Sequence, residues 1–234
     1  MNQNKNLQQL EKKIGLNFKN KDLLLNVFVH RSYLNEHKNF RLPSNERLEF
    51  LGDSVLSLIT SVYLFKKYAF LKEGDYTDIK SAIVKTESLA DAALKLSLNQ
   101  YLLLSKGEIK NNGYRNINIL ADCFEALVGA IFLDKDFETA YNFVINFLFK
   151  DKLDYIVKNK LYLSFKTKLQ EYFQGKYKKI PEYKILEETG PEHKRVFRVG
   201  VFFNNKLLGV GIGYSKKHAE EEAAKKAFEK LNIF

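Results

Sequence analysis

Apolar and polar residues follow two different periods along the chain, which divide it into a helical part and a mixed part. Up to about residue 155, apolar residues recur at the three- and four-residue spacing of amphipathic helices, without strand-like alternation. The pattern predicts helices over residues 7–14, 21–31, 45–67, 75–96, 117–133 and 137–157. We therefore expect an all-α domain over residues 1–156.

The remaining residues show a different pattern. A helix over residues 165–174 is followed by three predicted strands, 182–188, 195–203 and 206–212, the last two joined by a tight turn at Asn204 and Asn205. A final helix begins after Ser215, a good N-cap residue, and ends near residue 231. This α-β-β-β-α order predicts a small α+β domain over residues 162–234.

The predicted helix over residues 117–133 is apolar nearly all round, which indicates that it is buried. Its only acidic side chains before its end are Asp122 and Glu125, which lie about 60° apart on the helix at about 100° per residue. Burying two carboxylates is costly unless a positive charge neutralises them, and no Lys or Arg lies nearby in the sequence. A divalent cation shared with a second acidic helix would resolve this cost. Gly129, on the same face, would let that helix approach closely.

Glu46, Glu49 and Asp53 share one face of the predicted helix over residues 45–67. Taken alone, they are also compatible with an ordinary solvated acidic face. However, the face lacks Lys partners and continues into Phe50, which indicates that something covers it. Four carboxylates from two helices form an all-oxygen site that suits Mg²⁺, for which Mn²⁺ can substitute. Such a cation can activate water and stabilise charge on a phosphodiester.

The charge distribution points to a polyanionic partner. The net charge is +10, of which residues 1–159 contribute 22 − 19 = +3 and residues 160–234 contribute 16 − 9 = +7. Nucleic acid is favoured over a membrane because no helix combines a basic face with a broad apolar face. A single cysteine and four scattered histidines give no disulfide framework or zinc cluster, and no long apolar run is present. We expect a cytoplasmic protein without membrane contact or small-molecule cofactor.

The run Asn45 to Ser54, NERLEFLGDS, closely resembles the signature of bacterial ribonuclease III. Three further motifs fall in that family's order and spacing: HRSY at 30–33, EGD at 73–75, and LAD at 120–122 with Glu125, Ala126 and Gly129. The resemblance implies that the metal-coordinating catalytic carboxylates are Glu49, Asp53, Asp122 and Glu125, with Asp53 and Glu125 foremost. Glu46 and Glu73 would be accessory acids. Val29 departs from the Thr that many members carry, without an expected catalytic consequence.

The family also implies an assembly and a reaction. Its members are homodimers that cut both strands of double-stranded RNA by hydrolysis, leave 5′-phosphate and 3′-hydroxyl ends, and act in rRNA and mRNA processing. Phe50, which projects toward the acidic side of its helix, would then be a dimer contact. A contact within its own protomer is the alternative.

The basic C-terminal part resembles a double-stranded RNA-binding domain, through the segments Lys166–Tyr172 and Lys216–Glu220. In such domains Lys216 and Lys217 would hold phosphates at a helix N-terminus. Polar residues of the first helix and the loop over residues 190–194 would read two minor grooves. The residues that this assigns to RNA binding are Thr167, Gln170, Glu171, His193, Lys216 and Lys217. His193 is alternatively a plain exposed turn residue.

Two other functions are compatible with parts of the pattern. One is a catalytically inactive double-stranded RNA-binding protein of the same fold, against which the presence of all four carboxylates argues. The other is a helical nucleotide pyrophosphohydrolase, which would have no need of the basic third of the chain. We therefore expect a Mg²⁺-dependent, double-strand-specific endoribonuclease.

Overall fold

The computed structural model describes residues 3–150 and 152–232, which form two compact units that divide between Tyr162 and Leu163. The first unit is helical and the second combines helices with a small sheet, as predicted. The helices of the first unit are α1 (Gln3–Ile14), α2 (Lys21–Asn26), α3 (Arg31–Glu36), α4 (Glu46–Lys67), α5 (Glu73–Ile83), α6 (Thr86–Lys95), α7 (Lys106–Lys110), α8 (Ile117–Asp134), α9 (Phe137–Val144) and α10 (Leu153–Lys158).

Helix α8 is the centre of the first unit. Eleven of its eighteen residues are buried, which confirms the prediction from its apolar sequence. Helices α4 and α6 pack against it. By length and composition alone α4 could cross a membrane. Seven of its residues, however, are buried in the unit, and core helices of soluble proteins commonly have this length and composition.

Three predicted helices are interrupted in the structure. The predicted helix over residues 75–96 is two helices, α5 and α6, because Lys85 adopts an extended conformation between them. The sequence hides this break because the apolar residues Ile83 and Ala90, seven residues apart, continue the helical spacing across it and are both buried.

The other two breaks have different local causes. The helix predicted over residues 21–31 ends at Asn26, because Val29 leaves the helix and forms a parallel bridge with Leu103. The helix predicted over residues 137–157 changes at Ile145–Phe149 into one π-helical turn, and α10 follows as a separate helix.

The second unit has the predicted α-β-β-β-α order. Its elements are α11 (Phe165–Tyr177), β1 (Glu182–Thr189), β2 (Val196–Phe203), β3 (Lys206–Gly213) and α12 (Lys216–Lys230). The strands form one antiparallel sheet in the order β1-β2-β3. Asn204 and Asn205, with φ of 48° and 62°, form the predicted tight turn between β2 and β3.

Small residues bring α12 close to the sheet. A Cβ added to Gly211 of β3 would lie 2.1 Å from the Ala219 carbonyl oxygen of α12, so no side chain fits there. Ala219, Ala223 and Ala227 of α12 are fully buried on that side. The Ser215 hydroxyl accepts a hydrogen bond from the His218 N–H at 3.2 Å, which confirms Ser215 as the N-cap.

Candidate metal centre and nucleic-acid interface

Two glycines bring the backbones of α4 and α8 into direct contact. A Cβ added to Gly52 of α4 would lie 1.8 Å from the Glu125 carbonyl oxygen, and one added to Gly129 of α8 would lie 2.4 Å from the Leu48 carbonyl oxygen. Any side chain at either position would force the helices apart. The predicted role of Gly129 is therefore confirmed. The equal role of Gly52 was missed, although a glycine inside an apolar helix is itself a packing signal.

This contact brings acidic residues from both helices together. Carboxylate oxygens of Glu49, Asp122 and Glu125 all lie within 4.8 Å of one another, and the three side chains are half-buried. Asp53, one turn after Glu49, is exposed and lies outside this group of three. Its charge nevertheless contributes to raising the pKa of Glu125, so it lies at the rim of the same cluster.

The remaining two predicted acids differ in position. Glu46 is exposed, forms an ion pair with Arg31 at 3.8 Å, and its charge raises the pKa of Glu49. Glu73 is exposed at the start of α5, where its carboxylate accepts a hydrogen bond from the Thr77 hydroxyl at 3.4 Å. Among the residues that the structure describes, Glu73 does not join the group of three carboxylates.

Burial and mutual repulsion make the cluster electrostatically unfavourable without a cation. Partial burial, followed by the charges of Asp53, Asp122 and Glu49, raises the pKa of Glu125 to about 8. Burial is also the largest cause of the raised pKa values of Glu49 and Asp122. A bound cation would allow these carboxylates to ionise together. Their purely oxygen ligand set fits a hard divalent cation.

Arg31 supplies positive charge that the sequence analysis did not foresee. Besides pairing with Glu46, its guanidinium lowers the pKa values of Glu49 and Asp122, in opposition to the larger effect of burial. His30, just before it, is half-buried, and burial is the main cause of its lowered pKa. The HRSY motif was visible in the sequence, but its proximity to the acids depends on the tertiary fold.

Phe50 projects away from the core. Its side chain is 78% exposed, and Leu58 and Phe65 further along α4 are 54% and 73% exposed. The acidic face of α4 was expected to be covered, but the part of the chain described provides no cover for Phe50. A contact of Phe50 inside its own protomer is therefore poorly supported.

The predicted RNA-binding residues of the second unit lie mainly on its surface. Gln170 and Glu171 are exposed on α11, and Thr167 is half-exposed, with its hydroxyl 3.1 Å from the Ser164 hydroxyl. Lys216 and Lys217 are exposed in the first turn of α12.

His193 lies in a short 3₁₀ turn between β1 and β2. With Lys194, Arg195, Phe197 and Tyr214, it lines a surface cavity of about 410 Å³. The Lys216 ammonium lies 5.7 Å from the centre of the Phe197 ring, so the α12 N-terminus borders the same region. Tyr214, which is 82% exposed there, was not predicted.

Two acids of α12 hold the start of α11 in place. The Glu221 carboxylate accepts hydrogen bonds from the N–H groups of Phe165 and Lys166, and Glu220 pairs with the Lys166 ammonium at 2.5 Å. These contacts were not apparent from the sequence. Their contacts fix the two helices that carry the predicted RNA-binding residues.

Known proteins match both units. Residues 20–152 match a family model described as Ribonuclease-III-like, and residues 165–231 match one described as Double-stranded RNA binding motif. Ribonuclease 3 of Clostridium acetobutylicum is 42% identical over 99% of this chain and all of its own length. That of Carboxydothermus hydrogenoformans is 44% identical over 97% of this chain and 96% of its own. The chain belongs to the ribonuclease III family.

A solved structure agrees with this assignment for the helical unit. The nuclease domain of ribonuclease III from Campylobacter jejuni, whose description names a flexible region involved in dimer formation, has a TM-score of 0.58 and 37% sequence identity. The match covers 62% of this chain and 98% of the Campylobacter jejuni domain.

Membership of the ribonuclease III family supports the endoribonuclease among the functions considered from the sequence. The chain is a double-strand-specific endoribonuclease of the ribonuclease III type, and double-stranded RNA is its partner. A nucleotide pyrophosphohydrolase is excluded by the family match.

Proposed function

We propose that this ribonuclease III uses Mg²⁺, for which Mn²⁺ can substitute, at the α4–α8 cluster to hydrolyse double-stranded RNA. The observation that carries the proposal is the convergence of Glu49, Asp122 and Glu125 within 4.8 Å. Hydrolysis adds water to phosphorus and breaks the bond to the 3′ oxygen. The products are therefore a 5′-phosphate and a 3′-hydroxyl that has gained a proton.

The residues divide into ligands and supporting groups. Glu49, Asp122 and Glu125 would hold the cation from the interior, and Asp53 would join them from the exposed rim. The cation would supply charge for the phosphate oxygens and an activated water. Glu46 and Glu73 are accessory acids in this proposal. The ion pair with Arg31 holds the Glu46 carboxylate beside the cluster. Because the helix backbones that carry these carboxylates are in contact, the spacing of the two acidic faces is set before RNA arrives.

The second unit would bind the duplex by its shape. The exposed Lys216 and Lys217 lie at a helix N-terminus, where the N–H groups and dipole favour phosphates. His193 would enter one minor groove. Thr167, Gln170 and Glu171 of α11 would contact another, since A-form duplexes expose 2′-hydroxyls there.

The enzyme would function as a homodimer in the cytoplasm. Two antiparallel strands require two sites, which a two-fold symmetric dimer supplies. The exposed Phe50, adjacent to Glu49, is the proposed dimer contact. The single cysteine, Cys123, is buried and unpaired with a second thiol, as suits a reducing compartment. Processing of rRNA and mRNA would be its role, with no small-molecule cofactor.

One experiment tests the central proposal. Wild-type protein and Glu125→Gln are incubated with a long RNA duplex in Mg²⁺ and in EDTA, with Glu138→Gln as a control for loss of an exposed carboxylate. We expect wild type and Glu138→Gln to cut only with Mg²⁺, and Glu125→Gln to bind without cutting. Binding without cutting by the wild type would instead support the inactive RNA-binding alternative.

A further inference from the structure

We propose that Arg31 binds a phosphate oxygen of the RNA strand being cut and so serves as a substrate-contacting residue of this site. This inference rests on the proposed function, because it requires a phosphodiester to enter the acidic cluster. It concerns a residue of the HRSY motif to which the family resemblance assigned no role.

The backbone around Arg31 is held firmly beside the start of α4. The Asn45 backbone N–H donates to the Val29 carbonyl at 2.8 Å, and the buried Asn45 side chain donates to the Val27 carbonyl at 3.1 Å. On the other side, the His30 N–H donates to the Leu103 carbonyl at 3.2 Å. Arg31 is the first residue of α3 and follows directly from this clamped segment. Its Cα position relative to the acids is therefore fixed.

The guanidinium itself, in contrast, is mostly uncommitted. It is 74% exposed, and within the part of the chain that the structure describes it forms an ion pair with Glu46, at 3.8 Å and itself 54% exposed. A contact of this length is too long for a good hydrogen bond. Exposed ion pairs of this kind contribute little to stability. Most of its five N–H donors thus remain available for a ligand.

The location determines which ligand suits those donors. The Arg31 guanidinium lies 3.8 Å from the Glu46 carboxylate, and Glu46 precedes Glu49 by three residues on the same face of α4, so the guanidinium lies at the edge of the carboxylate cluster. A phosphodiester brought to a cation on that cluster would present its other oxygens to this edge. The planar fork of a guanidinium matches two phosphate oxygens and remains charged at any relevant pH. A lysine would supply the charge without the fork.

The alternative is that Arg31 only balances the charge of the acids. If Arg31 only balances charge, its loss should change the Mg²⁺ concentration that cleavage requires. If Arg31 contacts RNA, its loss should lower kcat/KM even at saturating Mg²⁺. The two roles are therefore separable by measurement.

The test compares Arg31→Gln and Arg31→Lys with the control Arg41→Gln. Arg41 is an exposed arginine of the same unit whose ion-pair partner is Asp22 of α2 rather than an acid of α4 or α8. We measure kcat, KM and the Mg²⁺ dependence of duplex cleavage for each variant. RNA affinity is measured against salt with Glu125→Gln added to each protein, so that RNA remains intact.

We expect Arg31→Gln to lower kcat/KM roughly ten- to hundredfold at saturating Mg²⁺, as for loss of one charge-assisted hydrogen bond. The slope of the logarithm of its RNA-binding constant against the logarithm of salt concentration should be smaller by about one than that of Arg41→Gln. Arg31→Lys should keep the wild-type slope but recover only part of kcat/KM.

An unchanged kcat/KM in Arg31→Gln, or a loss that additional Mg²⁺ fully restores, would overturn the proposal. If the wild type does not cut, the proposed function fails. The difference in salt slope between Arg31→Gln and Arg41→Gln still decides whether Arg31 contacts a phosphate.

Discussion

The environment of Glu125 couples the ionisation of one residue to the stability of its unit. Its pKa is about 8 in the folded chain, compared with an ordinary value of 4.5. At a pH between 4.5 and about 8, Glu125 is therefore protonated in the folded state and ionised in the unfolded state. The resulting contribution to stability is fully present below pH 4.5 and is lost as the pH rises through about 8.

We therefore predict that wild-type protein in EDTA loses thermal stability, relative to Glu125→Gln, as the pH is raised from 5 to 8.5. Mg²⁺ should oppose this loss and do so most strongly at high pH, because it binds the ionised carboxylates. Melting temperatures at several pH values, with and without Mg²⁺, provide the measurement. If wild type and Glu125→Gln follow the same pH dependence in EDTA, the assigned environment of Glu125 is wrong.

At the same scale, the sequence predicted the acids better than their neighbours. Asp122 and Glu125 could be recognised because they interrupt an apolar helix, a local pattern. Arg31 could not, because its position depends on the pairing of Val29 with Leu103, which are far apart in the sequence. Asp53 illustrates a further limit, since helical spacing fixes the face of a residue but not its exposure.

At the scale of elements, the close contact of α4 and α8 determines whether the cluster exists. We predict that Gly52→Ala destabilises the helical unit by about 1–3 kcal/mol or more, because its Cβ would lie 1.8 Å from the Glu125 carbonyl oxygen. RNA cleavage should fall as well, since the helices must separate. Gly107→Ala in α7 is the control, because its Cβ would meet only the Ser105 hydroxyl at 3.8 Å.

Urea unfolding and cleavage assays of both variants test this prediction. A Gly52→Ala protein with wild-type stability and activity would show that the helices can separate without harm to the site. A large loss in Gly107→Ala would show that the effect is not specific to the α4–α8 contact.

Element boundaries were less predictable than element types. The helix over residues 117–133 could be predicted because its apolar composition matches its burial in the structure. The hairpin could be predicted because Asn204 and Asn205 tolerate the positive φ that its turn requires. The break at Lys85 leaves no trace in the apolar spacing. The two helices pack on different partners, α5 on α4 and α6 on α8, which is a tertiary effect that local spacing does not reveal.

At the scale of the whole molecule, the exposed aromatic face of α4 predicts assembly. We expect Phe50→Ser to shift the protein from dimer toward monomer in sedimentation experiments and to reduce the cutting of both strands. Burying a phenylalanine in an interface contributes about 1.5–3 kcal/mol, enough to change the dissociation constant at least tenfold. Tyr155→Ser, which removes an aromatic residue that is 61% exposed on α10, is the matched control. Equal dimerisation of both variants and the wild type would refute the contact.

The distribution of charge between the two units predicts how each contributes to RNA binding. Residues 160–234 carry +7 of the net +10, so most phosphate contacts should come from the second unit. A chain that ends at Tyr162 should therefore bind duplex RNA more weakly and with a smaller dependence on salt, because fewer counterions are released.

Cleavage by that shortened chain should persist at low salt, since the carboxylate cluster lies wholly within the first unit. The nuclease domain from Campylobacter jejuni shows that a comparable part can be studied separately. Binding and cleavage measured from low to physiological salt provide the test, with the double variant Lys216→Gln, Lys217→Gln in the full chain as an intermediate case. Full activity of the shortened chain at physiological salt would refute the role given to the basic unit. Complete inactivity at low salt in a folded protein would show that the second unit is also needed for catalysis.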